Sequence, residues 1–193
     1  MPKIEADTVA EHRAHREQAL LDAARGLLLT EGPAAVTPSK VAAAVGLARS
    51  SVYKYFASGP QLLARLVDDD FTAWSEEVDA AVRAAGDDPD ARLHAYARST
   101  LQLAAAGSHR VATALAGVTL DDQLRARIGQ LHTRLTDPLH TALVDRGEHD
   151  PDTVAALVQA AVDAAVRLVD AGQPVDPVVE RTLRFLDGAL SQG

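Results

Sequence analysis

Between Thr37 and Phe56 the chain is punctuated so tightly that only two short helices and a turn fit. Thr37 is a good helix cap, since its hydroxyl can accept from the orphan amides of a first turn. Pro38 follows at the first helical position, where a missing N–H costs nothing and φ is already helical. Val41, Ala42 and Val45 make a short apolar face. Gly46 ends that helix, because glycine tolerates the left-handed conformation beyond a C-cap. Leu47 can pack under the turn. A second helix is expected from Ala48 or Arg49, with Val52 and Phe56 four apart and both facing a core. Arg49, Ser50, Ser51, Tyr53, Lys54 and Tyr55 cover its remaining faces.

Those six side chains carry donors suited to phosphate oxygens or base edges. In a helix-turn-helix pair the start of the second helix reaches the bases. Arg49 and Ser50, with Lys54, are therefore the base-reading candidates. Tyr53, Tyr55 and Thr37 suit the role of phosphate clamps, and Lys40 and Ser51 complete the candidate DNA-binding set. The bland alternative is an amphipathic helix pair with a solvated polar face.

Charge bears on that choice. The net charge is −8, which argues against a polyanionic partner. Its distribution answers the objection: residues 1–60 hold seven Lys or Arg against six Asp or Glu, while the rest holds 12 against 21. Between Gly32 and Pro60 stand Lys40, Arg49 and Lys54 with no carboxylate. Salt screens exposed charges beyond ~8 Å, so the local sign decides. Three cations are few, and two subunits are expected to be needed for firm binding.

The segment from Leu20 to about Leu66 resembles the DNA-binding domain of TetR-type transcriptional repressors. The resemblance lies in a first helix ending in Thr30-Glu31-Gly32, the Thr37 cap, Val41-Ala42 and Val45-Gly46-Leu47. It continues through Val52-Tyr53-Lys54-Tyr55-Phe56, a short turn and Leu62-Leu63. It implies backbone contacts from Tyr53 and Tyr55. It also implies a nine-helix TetR-like architecture, with a helix-turn-helix DNA-binding domain over 9–57 and a helical ligand-binding and dimerisation domain over 58–193. The partners implied are a double-stranded DNA operator, a second copy of the chain and a small-molecule effector. Two departures stand out. Gly59-Pro60 occupies the place where such proteins often have Lys and an acidic residue, so one phosphate contact is expected to be missing. Ala48 replaces the more usual Ser or Thr cap.

The remaining sequence also reads as all-α, with nine helices in total. Residues 1–8 are polar and expected to fray, and the stripe Leu20, Ala23, Ala24, Leu27, Leu28 marks the first helix. Ser58 and Gln61 make a capping box before a long helix carrying Leu62, Leu63, Leu66, Val67, Phe71, Trp74, Val78 and Val82. Asp88-Pro89, Asp150-Pro151 and Asp176-Pro177 are start signals, and Gly86, Gly147 and Gly172 are stops. A short helix is expected near 109–117. Asp137-Pro138 interrupts the stripe Leu124, Ile128, Leu131, Leu135, Leu139, Leu143, which reads as one kinked helix of about 120–146. Aromatic residues are only 4% of the chain, so the core must be mostly Ala, Leu and Val.

On the last two helices, Leu157, Ala161, Ala165 and Leu168 with Val179, Leu183 and Leu186 either complete the core or form a dimer interface; the resemblance favours the dimer. Phe71, Trp74, Tyr96, Thr100, Leu131 and Leu135 are plain core or the lining of an effector cavity, and their character suggests an apolar ligand. An enzyme is not expected. There is no Cys, no His-Glu-x-x-His and no phosphate-cradling glycine loop. Asp68, Asp69 and Asp70 point about 100° apart on a helix and cannot converge on one ion, so neither metal nor cofactor is expected. No stretch of about 18 apolar residues exists, which leaves a cytoplasmic protein without a membrane partner as the expectation. The functional reading is a sequence-specific regulator, by family default a repressor released from a palindromic operator by its ligand. The alternative is a helical dimerisation or adaptor protein with a vestigial helix-turn-helix.

Overall fold

The computed structural model describes residues 4–115 and 122–191, with side chains from residue 10 onward. Among the described residues there are nine α-helices and no strand: α1 (Ile4–Glu31), α2 (Pro38–Ala44), α3 (Arg49–Val52), α4 (Gly59–Ala84), α5 (Pro89–Ala106), α6 (Arg110–Leu115), α7 (Asp122–Asp145), α8 (Pro151–Asp170) and α9 (Val175–Leu190). A short 3₁₀ turn, Pro33–Ala35, separates α1 from α2. The chain divides into two compact units, one of Met1–Asp69 with Arg110–Arg127 and the other of Asp70–His109 with Ile128–Gly193. Among the described residues no helix is long and apolar enough to cross a membrane.

Local chemistry sets most boundaries. Thr37 caps α2 through a hydrogen bond from the Lys40 amide at 3.3 Å. Asp88 caps α5 by accepting from the Asp90 amide at 3.1 Å, and Asp150 caps α8 by accepting from the Thr153 amide at 3.2 Å. Pro89 and Pro151 occupy first-turn positions whose missing amides have no intrahelical partner. Ser58 Oγ accepts from the Gln61 amide, while the Gln61 side chain accepts from the amide of Ala57 rather than that of Ser58. Gly46 ends α2 at φ 68° and Gly86 ends α4 at φ 83°, values that side chains resist.

Two boundaries differ from expectation. Residues 4–8 are helical, so α1 begins far upstream of its apolar stripe; residues 1–3 lie outside the described residues. Helix α9 begins at Val175 with Pro174 at the cap position, and Asp176 makes no cap. Pro177 still fits, because amides of a first turn need no intrahelical acceptor. Helix α7, by contrast, runs through Pro138 as one helix, as its apolar stripe led one to expect. The expected ends at 117 and 120 fall outside the described residues.

In the first unit, α1 packs against α2 and α6, and α2 against α3. Leu20, Ala24 and Leu28 of α1, Val41 and Ala42 of α2, and Val52 of α3 are all at most 1% exposed. Burial of each Leu or Val contributes roughly 1.5–3 kcal/mol, and this fixes the short α3, which is too brief to hold itself together. The second unit is built where α5 packs on α8 and α9. Its core runs from Trp74, Val78 and Val82 of α4 through Tyr96 and Leu101 of α5 to Leu139, Val162 and Leu186 of α7, α8 and α9.

Candidate nucleic-acid interface

The second helix of the helix-turn-helix is a single α-turn, Arg49–Val52, continued by tighter turns. The Tyr55 and Phe56 amides both bond the Val52 carbonyl at 2.9 Å, which keeps the backbone coiled past Tyr53. Val52 and Phe56 are the buried anchors, at 0% and 4% exposure. Because they point inward, Arg49, Ser50, Tyr53 and Lys54 are left on the exposed side, with Ser51 and Tyr55 half-buried. Ala48 caps α3 without a side-chain bond, and only its carbonyl serves, accepting from the Ser51 amide at 2.8 Å.

The cations on this face are not equivalent. Arg49 donates through Nε and Nη2 to the Tyr53 hydroxyl, at 3.1 and 2.6 Å, and its guanidinium lies 5.3 Å from that ring's centre. The pair is therefore preorganised as one donor surface. Lys54 has no ion pair among the described residues and remains a mobile point charge. Lys40 reaches back to Glu31 at 2.6 Å. Both partners are about half exposed, so the pair is worth little, ~0–1 kcal/mol, and exchanges readily for a phosphate. Thr37 spends its hydroxyl on the α2 cap.

Arg13 is a basic residue that the sequence did not point to. Its guanidinium lies 5.8 Å from the Tyr55 ring centre, so α1 brings a further charge beside this candidate clamp. Forty-two residues separate the two, and no local pattern signals the contact. Gly59, by contrast, is pinned: a Cβ there would lie 2.3 Å from the Val36 carbonyl oxygen. The start of α4 therefore approaches the backbone before α2 too closely for any side chain at this position.

The second unit holds the other candidate residues. Phe71, Trp74, Tyr96, Thr100, Leu131 and Leu135 are all between 0% and 8% exposed. Tyr96 donates to Gln159 Oε1 at 2.5 Å, and Gln159 Nε2 donates to Asp163 at 2.7 Å. Burial, then the nearby Asp163 charge, pushes the Tyr96 hydroxyl well above the usual tyrosine range. Val179, Leu183, Leu186 and Ala165 are buried within this unit, and Ala161 is half-buried. Leu157 and Leu168 are exposed, and so is Phe185, which the sequence reading passed over. Leu157, Val158, Ala161, Phe185, Leu186 and Ala189 line a surface groove of about 570 Å³ on α8 and α9. Among the described residues no group of three His, Asp or Glu side chains could hold a metal ion.

Comparison with known proteins agrees with this geometry. Residues 20–66 match the bacterial regulatory proteins of the tetR family. No curated protein matches. Among solved structures, the fatty acid degradation regulator FadR of Bacillus halodurans shares 21% identity over 90% of this chain and 95% of its own, with a TM-score of 0.75. FadR of Bacillus subtilis, solved with stearoyl-CoA, shares 19% identity over 88% of this chain and 96% of its own, with a TM-score of 0.73. A TetR/AcrR-family regulator of Thermobifida fusca YX-ER1 shares 19% identity over 89% and 96%, with a TM-score of 0.68. The tetR-family match thus covers the segment that carries the helix-turn-helix, and the solved structures share the fold of most of the chain.

Proposed function

We propose that the protein is a cytoplasmic homodimeric repressor that reads a near-palindromic operator and leaves it when a small, largely apolar ligand binds. Residues 9–57 supply the DNA contacts in this reading, and residues 58–193 supply the effector site and the dimer contact. The carrying observation is the exposed row Arg49, Ser50, Tyr53 and Lys54 over a buried Val52–Phe56 anchor. Arg49 and Ser50 are assigned to base edges. Lys54, Tyr53, Tyr55, Ser51, Thr37 and Lys40 are assigned to the backbone. A two-fold pair would set the half-site spacing near one helical turn or somewhat more.

The dimer contact is assigned to the groove on α8 and α9, with Leu157, Leu168, Ala161 and Phe185 meeting their mates. Ala165, Val179, Leu183 and Leu186 would support that face from beneath. The apolar lining of Phe71, Trp74, Tyr96, Thr100, Leu131 and Leu135 supports an apolar effector, as does the stearoyl-CoA held by one structural neighbour. Regulation would be a population shift, with DNA affinity falling by the ligand's differential binding to the two conformations. The salt dependence of binding to duplex DNA tests the DNA assignment. Lys54→Ala is expected to lower the slope of log K against log salt by ~1 per subunit. An unchanged slope and affinity would remove Lys54 from the interface and favour an adaptor role.

A further inference from the structure

Four buried polar atoms of the second unit have no hydrogen-bond partner among the described residues: Trp74 Nε1, Arg92 Nε, Thr100 Oγ1 and His109 Nδ1; the Arg92 guanidinium is already paired with Asp145 through Nη2. Natural interiors leave few such atoms, because each unpaired group loses its hydration for nothing. Two of them adjoin. The Trp74 and His109 rings meet edge to face, with centres 5.9 Å apart. The His109 side chain is 10% exposed and Trp74 is 8% exposed. Thr100 lies one turn beyond Tyr96 on α5 and is 2% exposed.

His109 is also held in one orientation. Its Nε2 contacts both Asp170 carboxylate oxygens, at 2.9 and 3.0 Å. A carboxylate only accepts, so the proton must sit on Nε2. In the neutral ring Nδ1 is then a bare acceptor, turned away from Asp170 and buried. The Trp74 indole offers the opposite function, since it can only donate.

We propose that Trp74, His109 and Thr100 form the polar end of an otherwise apolar ligand site, and that its ligand carries a hydroxyl group. A hydroxyl accepts from the Trp74 N–H and donates to His109 Nδ1, which neither a carbonyl nor an ether can do. The buried apolar side chains Phe71, Leu131 and Leu135 of the same unit would take the ligand's hydrocarbon part. The inference rests on the effector-binding reading of this unit and adds the chemistry of the head group.

The test uses 1-octanol and its methyl ether on the full-length protein. Trp74 is the only tryptophan, so its emission reports on the site. The ether is larger and more apolar, so burial alone would favour it. The hydroxyl pairing predicts the reverse, with the ether about tenfold weaker by fluorescence and by calorimetry. His109→Phe is expected to abolish that preference, and Thr100→Val, a smaller change, to weaken octanol binding several-fold. Equal binding, tighter ether binding, or no response up to the solubility limit would overturn the site and leave these atoms to buried water. Operator affinity is measured separately. Octanol binding with the expected preference but no effect on DNA binding would overturn the regulatory reading and leave the site standing.

Discussion

Replacing Gly59 by Lys would install the phosphate-touching residue that the family resemblance leads one to look for, and it is expected to harm the protein. The new Cβ would lie 2.3 Å from the Val36 carbonyl oxygen, with Val36 C at 3.5 Å and Thr37 Cα at 3.9 Å. Ordinary contact begins near 3.4 Å, so the two backbones must separate by roughly 1 Å. Nothing there is the free end of a flexible side chain. The Val36 amide bonds the Pro33 carbonyl at 3.1 Å, the Thr37 amide bonds Ala35 at 2.8 Å, and Thr37 caps α2. Overpacking of this kind costs about 1–3 kcal/mol and sometimes more. Leaving glycine for a better helix former returns at most ~1 kcal/mol. A net loss of about 2 kcal/mol lowers Tm by roughly 4–8 °C in a chain of this size. The shift would also drag Thr37 and α2, so operator affinity should fall although a positive charge is added. Gly59→Ala serves as the uncharged control and should show the same loss. Thermal unfolding by circular dichroism and a binding titration read both effects. A Gly59→Lys variant as stable as the parent and tighter on DNA would refute the close-approach argument.

Other predictions follow from single contacts. Leu157→Glu with Phe185→Glu, at positions 66% and 62% exposed, is expected to weaken self-association at least ~100-fold; unchanged sedimentation would move the interface elsewhere. Asp88→Ala removes the α5 cap and should cost ~1 kcal/mol, seen as a Tm lower by ~2–4 °C. The Tyr96 hydroxyl is raised by burial and by Asp163. The folded state thus holds its proton more tightly than the unfolded state. The resulting stability is complete below the ordinary tyrosine value near 10 and is lost as pH rises above it. Urea unfolding from pH 9 to 11 should show that decline, and Tyr96→Phe should flatten it. Asp150 behaves in the opposite sense: hydrogen bonds from Thr153, side chain first and backbone second, hold its carboxyl below the usual range. Its contribution is present above the usual carboxylate value and is lost as pH falls through the lowered one, so Asp150→Asn should reduce the acid sensitivity of unfolding.

The features legible in the sequence are those that local chemistry dictates. Thr37, Asp88 and Asp150 announce their helices because a cap reaches only two or three residues. Val52 and Phe56 announce the inward face of α3 because their spacing is helical. The inward face of α8 was harder to read. Val154, Leu157, Val158, Ala161, Val162, Ala165 and Leu168 surround most of the helix, so periodicity cannot choose the side that meets the core. The structure buries Val158, Val162 and Ala165 and exposes Leu157 and Leu168. Phe185 escaped notice because the stripe Val179, Leu183, Leu186 already accounted for α9. Contacts between distant positions had no local signal. The Lys40–Glu31 pair, the placing of Arg13 beside Tyr55 and the anchoring of His109 by Asp170 all depend on how helices meet. Gly59 was legible as a departure, but its cause, the carbonyl of Val36, lies 23 residues upstream.

The most direct measurement is selection of duplexes from a random pool by the purified protein, followed by sequencing. The account predicts enrichment of a near-palindrome with half-sites about one helical turn apart or somewhat more, bound by two subunits, with Arg49→Ala and Lys54→Ala losing the enrichment or its strength. Salt-sensitive binding without any enriched sequence would contradict it. The exposed row on α3 would then be a solvated face, and the chain would be a dimerisation module on a regulator's fold.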